Sequence, residues 1–123
     1  MTETPDQFHE TADDLDAETR AIRTLNDNLR RTFSCGRVVM TQGVQALAED
    51  TVYRILKAVR EFNDFSEDND PYGTHEFGLF DQDDERVMFK IDAYDQNLEY
   101  GSPNPADPTV TTRVLTILLA SEY

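Results

Sequence analysis

The stretch HEFGLFDQDDERVMFKIDAYD, residues 75–95, decides the fold because it contains two runs of alternating apolar and polar residues. Alternation with a period of two is typical of β-strands that bury one face. Asp83 and Asp84 separate the two runs and predict a β-hairpin with a two-residue loop, although Asp-Asp is a poorer loop sequence than Asn-Gly or Asp-Gly. With this loop, Phe80 lies opposite Val87.

The same register gives the predicted hairpin two different faces. On the mixed face, His75 lies opposite Asp92 and near Lys90. A loop one residue longer or shorter would re-pair every side chain. The pairing of His75 with Asp92 therefore depends on the two-residue loop. The apolar face consists of Phe80, Val87, Phe89, Ile91 and Ala93.

Helical periodicity dominates the chain before the hairpin. Apolar residues at helical spacing predict a first helix, which begins at Thr11 or Asp13 and ends before Cys35. The run RVVMT, residues 37–41, is rich in β-branched side chains and predicts a buried strand. Residues 49–63 repeat an apolar face at helical spacing and predict a second helix with a basic outer face.

The segment after the hairpin is expected to be a third helix. Asp107 and Pro108 have the pattern of an N-cap followed by proline at the first helical position. The apolar residues that follow cover most of a helix circumference, so this helix is expected to be buried on two sides. On it, Arg113 and Glu122 are expected to tolerate substitution. The apolar residues are Val110, Val114, Leu115, Ile117, Leu118 and Leu119.

These elements together predict an α+β fold, with a small antiparallel sheet of three or four strands packed with about three helices. Residues 1–12 lack periodicity and are expected to form a disordered acidic segment. Residues 13–123 are expected to form a single α+β domain, because their length and apolar content suit one modest core.

Acidic side chains dominate the composition, with 25 Asp and Glu against 11 Lys and Arg and a net charge of −14. Residues 61–85 carry ten acids and no Lys or Arg, whereas residues 19–60 carry eight bases and three acids. A negative field repels phosphate backbones, so direct nucleic-acid binding is not expected and a basic protein surface is the favoured partner. A second interpretation is that the acids only keep a small protein soluble.

Cysteine usage and motif content argue against several classes of protein. Cys35 is the only cysteine, so an intramolecular disulfide cannot form and a reducing cytoplasm is the expected location. The sequence has neither a signal-peptide pattern nor an apolar run near the roughly 20 residues of a membrane span. It also lacks a nucleophile elbow, a glycine-rich phosphate loop and a paired-histidine motif, so no cofactor is expected.

A calcium-binding loop is the metal site that residues 68–79 most resemble. Asp68, Asp70 and Gly73 fit three positions of an EF-hand loop, but Tyr72 and Leu79 occupy two positions that need oxygen ligands. No metal site is therefore predicted, and a looser divalent site of low affinity formed by Asp68, Asp70 and Glu76 is the alternative. The segment instead favours a turn in which Asp70 caps the backbone and Gly73 supplies a permissive φ.

Two kinds of candidate site follow from the hairpin. If the protein is an enzyme, His75 with Asp92 is the candidate general base, because a carboxylate can orient an imidazole and raise its pKa. A structural His–Asp pair is the alternative. The candidate binding surface for a basic partner consists of Asp68, Asp70, His75, Glu76, Asp81, Asp83, Asp92 and Asp95.

A cluster of arginines in the first part of the chain is interpreted as a solvated helix face rather than an RNA surface. Its members are Arg20, Arg23, Arg30, Arg31 and Arg37.

Several long blocks of the sequence resemble an uncharacterised bacterial family, domain of unknown function 3768. The blocks are AIRTLNDNLRRT, GRVVMTQGVQAL, REFNDFSEDNDPYGTHEFG, FKIDAYD and YGSPNPADPTVTTRVLTILLASEY, and they extend from about residue 20 to the last residue. Members of this family are commonly encoded in alphaproteobacteria, often on plasmids and other mobile elements. The resemblance therefore implies a genetic context but no activity.

Three classes of function remain open. The first is a non-enzymatic interaction or regulatory protein that docks a basic partner, in a mobile-element setting a DNA-binding or host-defence protein. The second is a small hydrolase or transferase that uses His75 and nearby carboxylates. The third is a structural or oligomer-forming subunit whose apolar hairpin face meets another copy.

Overall fold

The computed structural model of the chain describes residues 15–123, so the segment predicted to be disordered at residues 1–12 lies outside the described residues. Three helices and four strands follow one another in an order that mixes the two types. They are α1 (Ala17–Thr32), β1 (Arg37–Met40), α2 (Gln42–Gln45), α3 (Glu49–Glu61), β2 (Phe77–Gln82), β3 (Glu85–Tyr94) and β4 (Thr112–Leu119).

The four strands form one sheet in the order β1-β4-β3-β2. Strand β3 pairs antiparallel with both β2 and β4, whereas β1 runs parallel to β4. The α+β class is therefore confirmed, and the sheet is mixed rather than purely antiparallel. A parallel pair needs a long connection, and the whole chain from α2 to β3 supplies it.

The predicted hairpin register is confirmed. Phe80 pairs with Val87 and Gln82 with Glu85, which leaves only Asp83 and Asp84 in the loop. Both loop residues have positive φ, 53° and 66°, as a type I′ turn requires. The carboxylate of Asp83 accepts hydrogen bonds from the side chains of Thr51 and Arg54 on α3. These bonds attach the hairpin tip to the helix layer.

The predicted C-terminal helix is wrong, because its residues form β4 at the centre of the sheet. Thr112–Leu119 is rich in β-branched residues, and its buried side chains alternate up to Ile117. Backbone pairing on both sides, with β1 and β3, outweighs the helical appearance of the apolar pattern. Asp107 still acts as a cap, since its side chain accepts from the Thr109 amide, but the helical turn that follows is limited to Pro108–Val110.

The remaining elements agree with the sequence except in detail. Helix α3 lies where the periodicity places it, whereas α1 begins at Ala17, after the N-cap Asp16, rather than at residue 11 or 13. Strand β1 is a half-exposed edge strand rather than a buried one. The short α2, which the sequence did not predict, buries Val44. Among the described residues, no helix has both the length and the apolar character needed to cross a membrane.

The core lies between the helices and one face of the sheet. Alternate residues of β3 and β4 contribute to it, as expected for strands with one face against helices. Partly buried phenylalanines, among them Phe62 and Phe65 after α3, extend it toward the segment between α3 and β2. The buried core residues are Leu29, Val44, Ile55, Val59, Val87, Phe89, Ile91, Leu115 and Ile117.

Candidate functional site

A stripe of four polar side chains on α1 is buried rather than solvated. Arg23, Asn26, Asp27 and Arg30 recur at spacings of three, one and three residues, so they share one face of the helix. Each is at most 9% exposed. The interpretation of the arginines of α1 as a solvated face is therefore wrong for Arg23 and Arg30.

The polar stripe holds the segment between α3 and β2, residues 62–76, which we call the acidic loop. The guanidinium Nε of Arg23 donates to the carbonyl of Gly73 at 2.7 Å, and the Nδ2 of Asn26 donates to the carbonyl of Thr74 at 3.0 Å. Side-chain donors from α1 thus satisfy two backbone carbonyls of the loop, at Gly73 and Thr74.

Arg30 occupies the centre of this network and is fully buried. Its Nη2 lies 2.9 Å from Oδ1 of Asp27, and its Nη1 donates to the carbonyls of Val59 and Phe62. These carbonyls belong to the C-terminal end of α3, where a cation is favoured by the helix dipole. Ring contacts with Phe65 and Phe89 complete the surroundings of the guanidinium.

His75 joins the acidic loop to the same carboxylate. Its Nδ1 lies 2.9 Å from Oδ1 of Asp27, its Nε2 lies 3.7 Å from Oδ2 of Asp70, and its ring stacks on Phe65 with centroids 3.8 Å apart. The φ of His75 is +57°, in the left-handed region that costs a side-chain-bearing residue free energy. The surrounding contacts maintain this conformation, since the His75 amide also donates to Asp70.

The electrostatics of the network favour a charged Asp27. Burial alone would raise the pKa of Asp27, but its hydrogen bonds and electrostatic interactions with His75 and Arg30 outweigh burial and hold that pKa below its usual value. Burial lowers the pKa of Arg30, and Asp27 opposes this effect. Asp27 is thus the carboxylate that balances the buried guanidinium.

The predicted pairing of His75 with Asp92 does not form. Strand β2 begins at Phe77, and although the Glu76 carbonyl still accepts from the Ile91 amide, the chain turns toward α1 at His75. Asp92 instead binds Nζ of Lys90 at 2.6 Å. The correct register was therefore not enough to pair His75 with Asp92, because β2 begins two residues after the histidine.

This geometry suits a structural role for His75 better than general-base catalysis. Both ring nitrogens face carboxylates of the protein itself, and one ring face is covered by Phe65. A general base must present a nitrogen within hydrogen-bonding distance of a substrate proton. The arrangement instead fixes the position of the acidic loop.

The predicted binding surface divides into carboxylates that the fold uses and carboxylates that it leaves exposed. Asp70 is buried and caps the turn, as predicted, with Gly73 at a φ of 73°. Asp81 pairs with Arg86, and Asp95 accepts hydrogen bonds from the amides of the turn that follows it. These three carboxylates therefore have structural partners.

The carboxylates that the fold leaves exposed lie mainly on the acidic loop. Asp68 is exposed and makes no side-chain hydrogen bond or ion pair within residues 15–123, and the same holds for Asp64 and Glu67. Glu76 is also exposed and accepts a bond from Thr74. Asp68 and Asp70 face different surroundings, and in the described part of the chain no three ligand-type side chains gather as a metal site would require.

Sequence reasoning missed the polar stripe of α1, although its spacing was visible. Four polar residues at i, i+3, i+4 and i+7 normally mark the solvent face of a helix. Only the fold shows that residues 48 to 50 positions further along the chain cover this face. Arg113, expected to be tolerant, is likewise buried and donates from Nε to Oδ1 of Asn26.

Comparison with known proteins supports the resemblance but adds no activity. No curated protein and no solved structure matches the chain. The polar stripe of α1 precedes the region that matches a family, whereas the acidic loop, the hairpin and β4 all lie within it. Residues 40–122 match the family described as Protein of unknown function (DUF3768), and the chain belongs to that family.

Proposed function

We propose that this protein is a small, non-enzymatic interaction protein that binds a basic partner through the acidic loop. The proposal rests on one observation about the two sides of the acidic loop: buried residues hold its inner side in place, and its outer side carries exposed carboxylates. The buried Asp27, Arg30 and His75 hold the inner side of the loop. Its outer side exposes Asp64, Glu67 and Asp68 without internal partners among the described residues.

The composition of the loop surface also fits a protein-binding role. Tyr72 is 77% exposed and lies beside the free carboxylates in the sequence. Tyrosine is enriched among the residues that dominate binding energy, and a loop that is already ordered loses little conformational entropy on binding. Tyr72 is therefore proposed as an apolar anchor surrounded by charges that select a basic partner.

The charge of the region sets the class of partner. The absence of Lys and Arg from residues 61–85 means that no neighbouring base in the sequence neutralises the exposed acids. Such a surface accelerates association with a positive surface and repels nucleic acid. The proposed partner is a basic protein of the cytoplasm, with DNA-binding proteins as the class whose surface fits best.

The test compares two variants with the same change in net charge. The loop variant combines Asp64→Asn, Glu67→Gln and Asp68→Asn, and the control variant combines Glu18→Gln, Glu49→Gln and Glu99→Gln, all at exposed positions. Proteins captured from a bacterial lysate by the immobilised wild type should be lost with the loop variant and retained with the control. Raising the salt concentration should release them, because screening weakens charge attraction between exposed surfaces.

The proposed role of Tyr72 as an apolar anchor can be tested separately. Tyr72→Ala should weaken binding of the same captured protein by a factor that does not change with salt, over the salt range in which the wild type still binds, because the lost contact is apolar. If the loop variant and the control retain the same proteins equally well, the acidic loop is not the binding surface and the proposal is wrong.

A further inference from the structure

A cavity of about 260 Å³ lies between α1 and the segment that leads into β4. It is separate from the acidic loop, and its lining combines apolar walls with a few polar groups. No carboxylate is among the lining residues, which are Leu25, Asn28, Cys35, Pro108, Thr111 and Arg113.

Arg113 is the charged group of this cavity and is 4% exposed. Its Nε donates to Oδ1 of Asn26 at 2.8 Å, and its Nη2 donates to the carbonyl of Pro105 at 2.6 Å. Its Nη1 makes no hydrogen bond within residues 15–123, yet it is not among the atoms sealed from solvent. The guanidinium therefore has a free donor on its accessible side.

Both groups that accept hydrogen bonds from Arg113 are neutral, which distinguishes it from Arg30. Arg30 is balanced by the carboxylate of Asp27, whereas within the described residues Arg113 has no acidic side chain at ion-pair distance. Burial lowers the pKa of Arg113, with no neighbouring charge to oppose it. A buried charge without a counter-ion costs free energy, and an anion in the cavity would reduce that cost.

The nearest acidic residue in the sequence does not provide the missing charge. The carboxylate of Asp107 accepts from the amide and the hydroxyl of Thr109, within its own turn. The hydroxyl of Thr111 is also engaged, with the carbonyls of Asn104 and Asp107. The side-chain amide of Asn28, by contrast, has no partner in the described part of the chain and can serve as a second donor.

We propose that this cavity binds a small oxyanion, whose carboxylate or phosphate group accepts hydrogen bonds from Nη1 of Arg113 and from the amide of Asn28. Arginine forms strong charge-assisted hydrogen bonds with both groups. Leu25 and Pro108 form the apolar walls, so the ligand can carry a short apolar portion. The volume is slightly below the roughly 300 to 1,000 Å³ of typical ligand pockets, which limits the ligand to a small molecule.

Cys35 provides a direct measurement, because it lines the cavity and is the only cysteine of the chain. The rate at which the uncharged reagent N-ethylmaleimide alkylates the full-length protein is measured against increasing sodium phosphate or sodium acetate. Ionic strength is kept constant with sodium chloride. Because the Cys35 thiol is exposed, a bound anion should slow alkylation without blocking it completely, and the slowing should reach half of its full extent at an anion concentration equal to the dissociation constant. Protection by acetate alone identifies a carboxylate site, and protection by phosphate alone identifies a phosphate site.

Variants separate this site from a general effect of anions on the thiol. Asn28→Asp places a negative charge in the cavity at an exposed helix position, and it should abolish protection without disturbing the bonds of Arg113. Arg113→Gln should abolish protection as well, and Arg31→Gln, which removes an exposed arginine of α1, should leave it unchanged. An alkylation rate that neither anion changes, or protection that persists in Asn28→Asp, would overturn the proposal.

Discussion

His75 Nδ1 lies 2.9 Å from Oδ1 of Asp27, and this contact joins residues that are 48 positions apart in the chain. Through Asp27 the imidazole is connected to the buried Arg30, which in turn binds the last carbonyls of α3. One carboxylate therefore links a helix, the end of a second helix and the acidic loop. Its contribution to stability and to the position of the loop can be measured directly.

Asp27→Ala should be strongly destabilising. The variant leaves Arg30 buried without its counter-ion and His75 without its main partner, and breaking a buried charge pair costs about 3 to 5 kcal/mol. Denaturant unfolding monitored by circular dichroism measures the free energy of unfolding. Asp68→Ala, on the exposed side of the same loop, is the matched control and should change this free energy by less than about 0.5 kcal/mol. Equal effects of the two variants would contradict the proposed role of Asp27.

The low pKa of Asp27 predicts a loss of stability in acid. A carboxyl group whose pKa is lower in the folded than in the unfolded state stabilises the fold above its unfolded pKa, about 3.9. This stabilisation is lost as the pH falls through the folded pKa. The difference in unfolding free energy between wild type and Asp27→Asn should thus shrink as the pH falls below about 4 and through the folded pKa of Asp27. A difference that stays unchanged or grows below about pH 4 would exclude a charged Asp27 as the balancing group.

The sequence predicted the local features of this fold better than its long-range ones. The two-residue hairpin loop was predictable because alternation fixes the register on both sides of Asp83 and Asp84. Strand β4 was not, because the apolar residues of 112–119 fit a helix circumference as well as a strand paired on both sides. Long-range pairing decides between the two, and it has no local signal.

The candidate site shows the same limit. The exposed acids and the turn at Asp70 and Gly73 follow from composition and local chemistry, and both were predictable. The partner of His75 was not predictable, because it depends on where β2 begins and on which face of α1 contacts the acidic loop. The burial of Asp27 was not predictable either, since its position on α1 resembles one on the solvated face of a helix.

Asp84→Gly should stabilise the hairpin. Asp84 has a φ of 66°, which a residue with a Cβ adopts at a cost, and Asp-Gly is a favoured sequence for a type I′ loop. The expected gain in the free energy of unfolding is about 0.5 to 1 kcal/mol, measured by thermal or denaturant unfolding. Asp83→Gly relieves the same strain but removes the bonds to Thr51 and Arg54, so it should gain less or lose stability. If Asp83→Gly stabilises more than Asp84→Gly, the attachment of the loop to α3 contributes little.

Gly78→Ala tests the packing of the hairpin against the core. Gly78 pairs with Phe89, and a Cβ at this position would overlap the aromatic ring, which is fully buried and also contacts Phe62 edge to face. Forcing a buried ring to move costs about 1 to 3 kcal/mol, which exceeds the entropic gain of replacing glycine. Gly101→Ala is the matched control, because nothing lies within 4 Å of its new Cβ, and it should be neutral or slightly stabilising.

The clash at Gly78 should also be reversible by a second substitution. In the double variant Gly78→Ala with Phe89→Leu, the smaller side chain leaves room for the new methyl group. The loss of unfolding free energy should therefore be smaller than the sum of the two single losses, by an interaction free energy of about 0.5 to 3 kcal/mol. Additive losses, measured by denaturant unfolding, would show that Phe89 does not lie over Gly78 and that the apolar face of the hairpin packs differently.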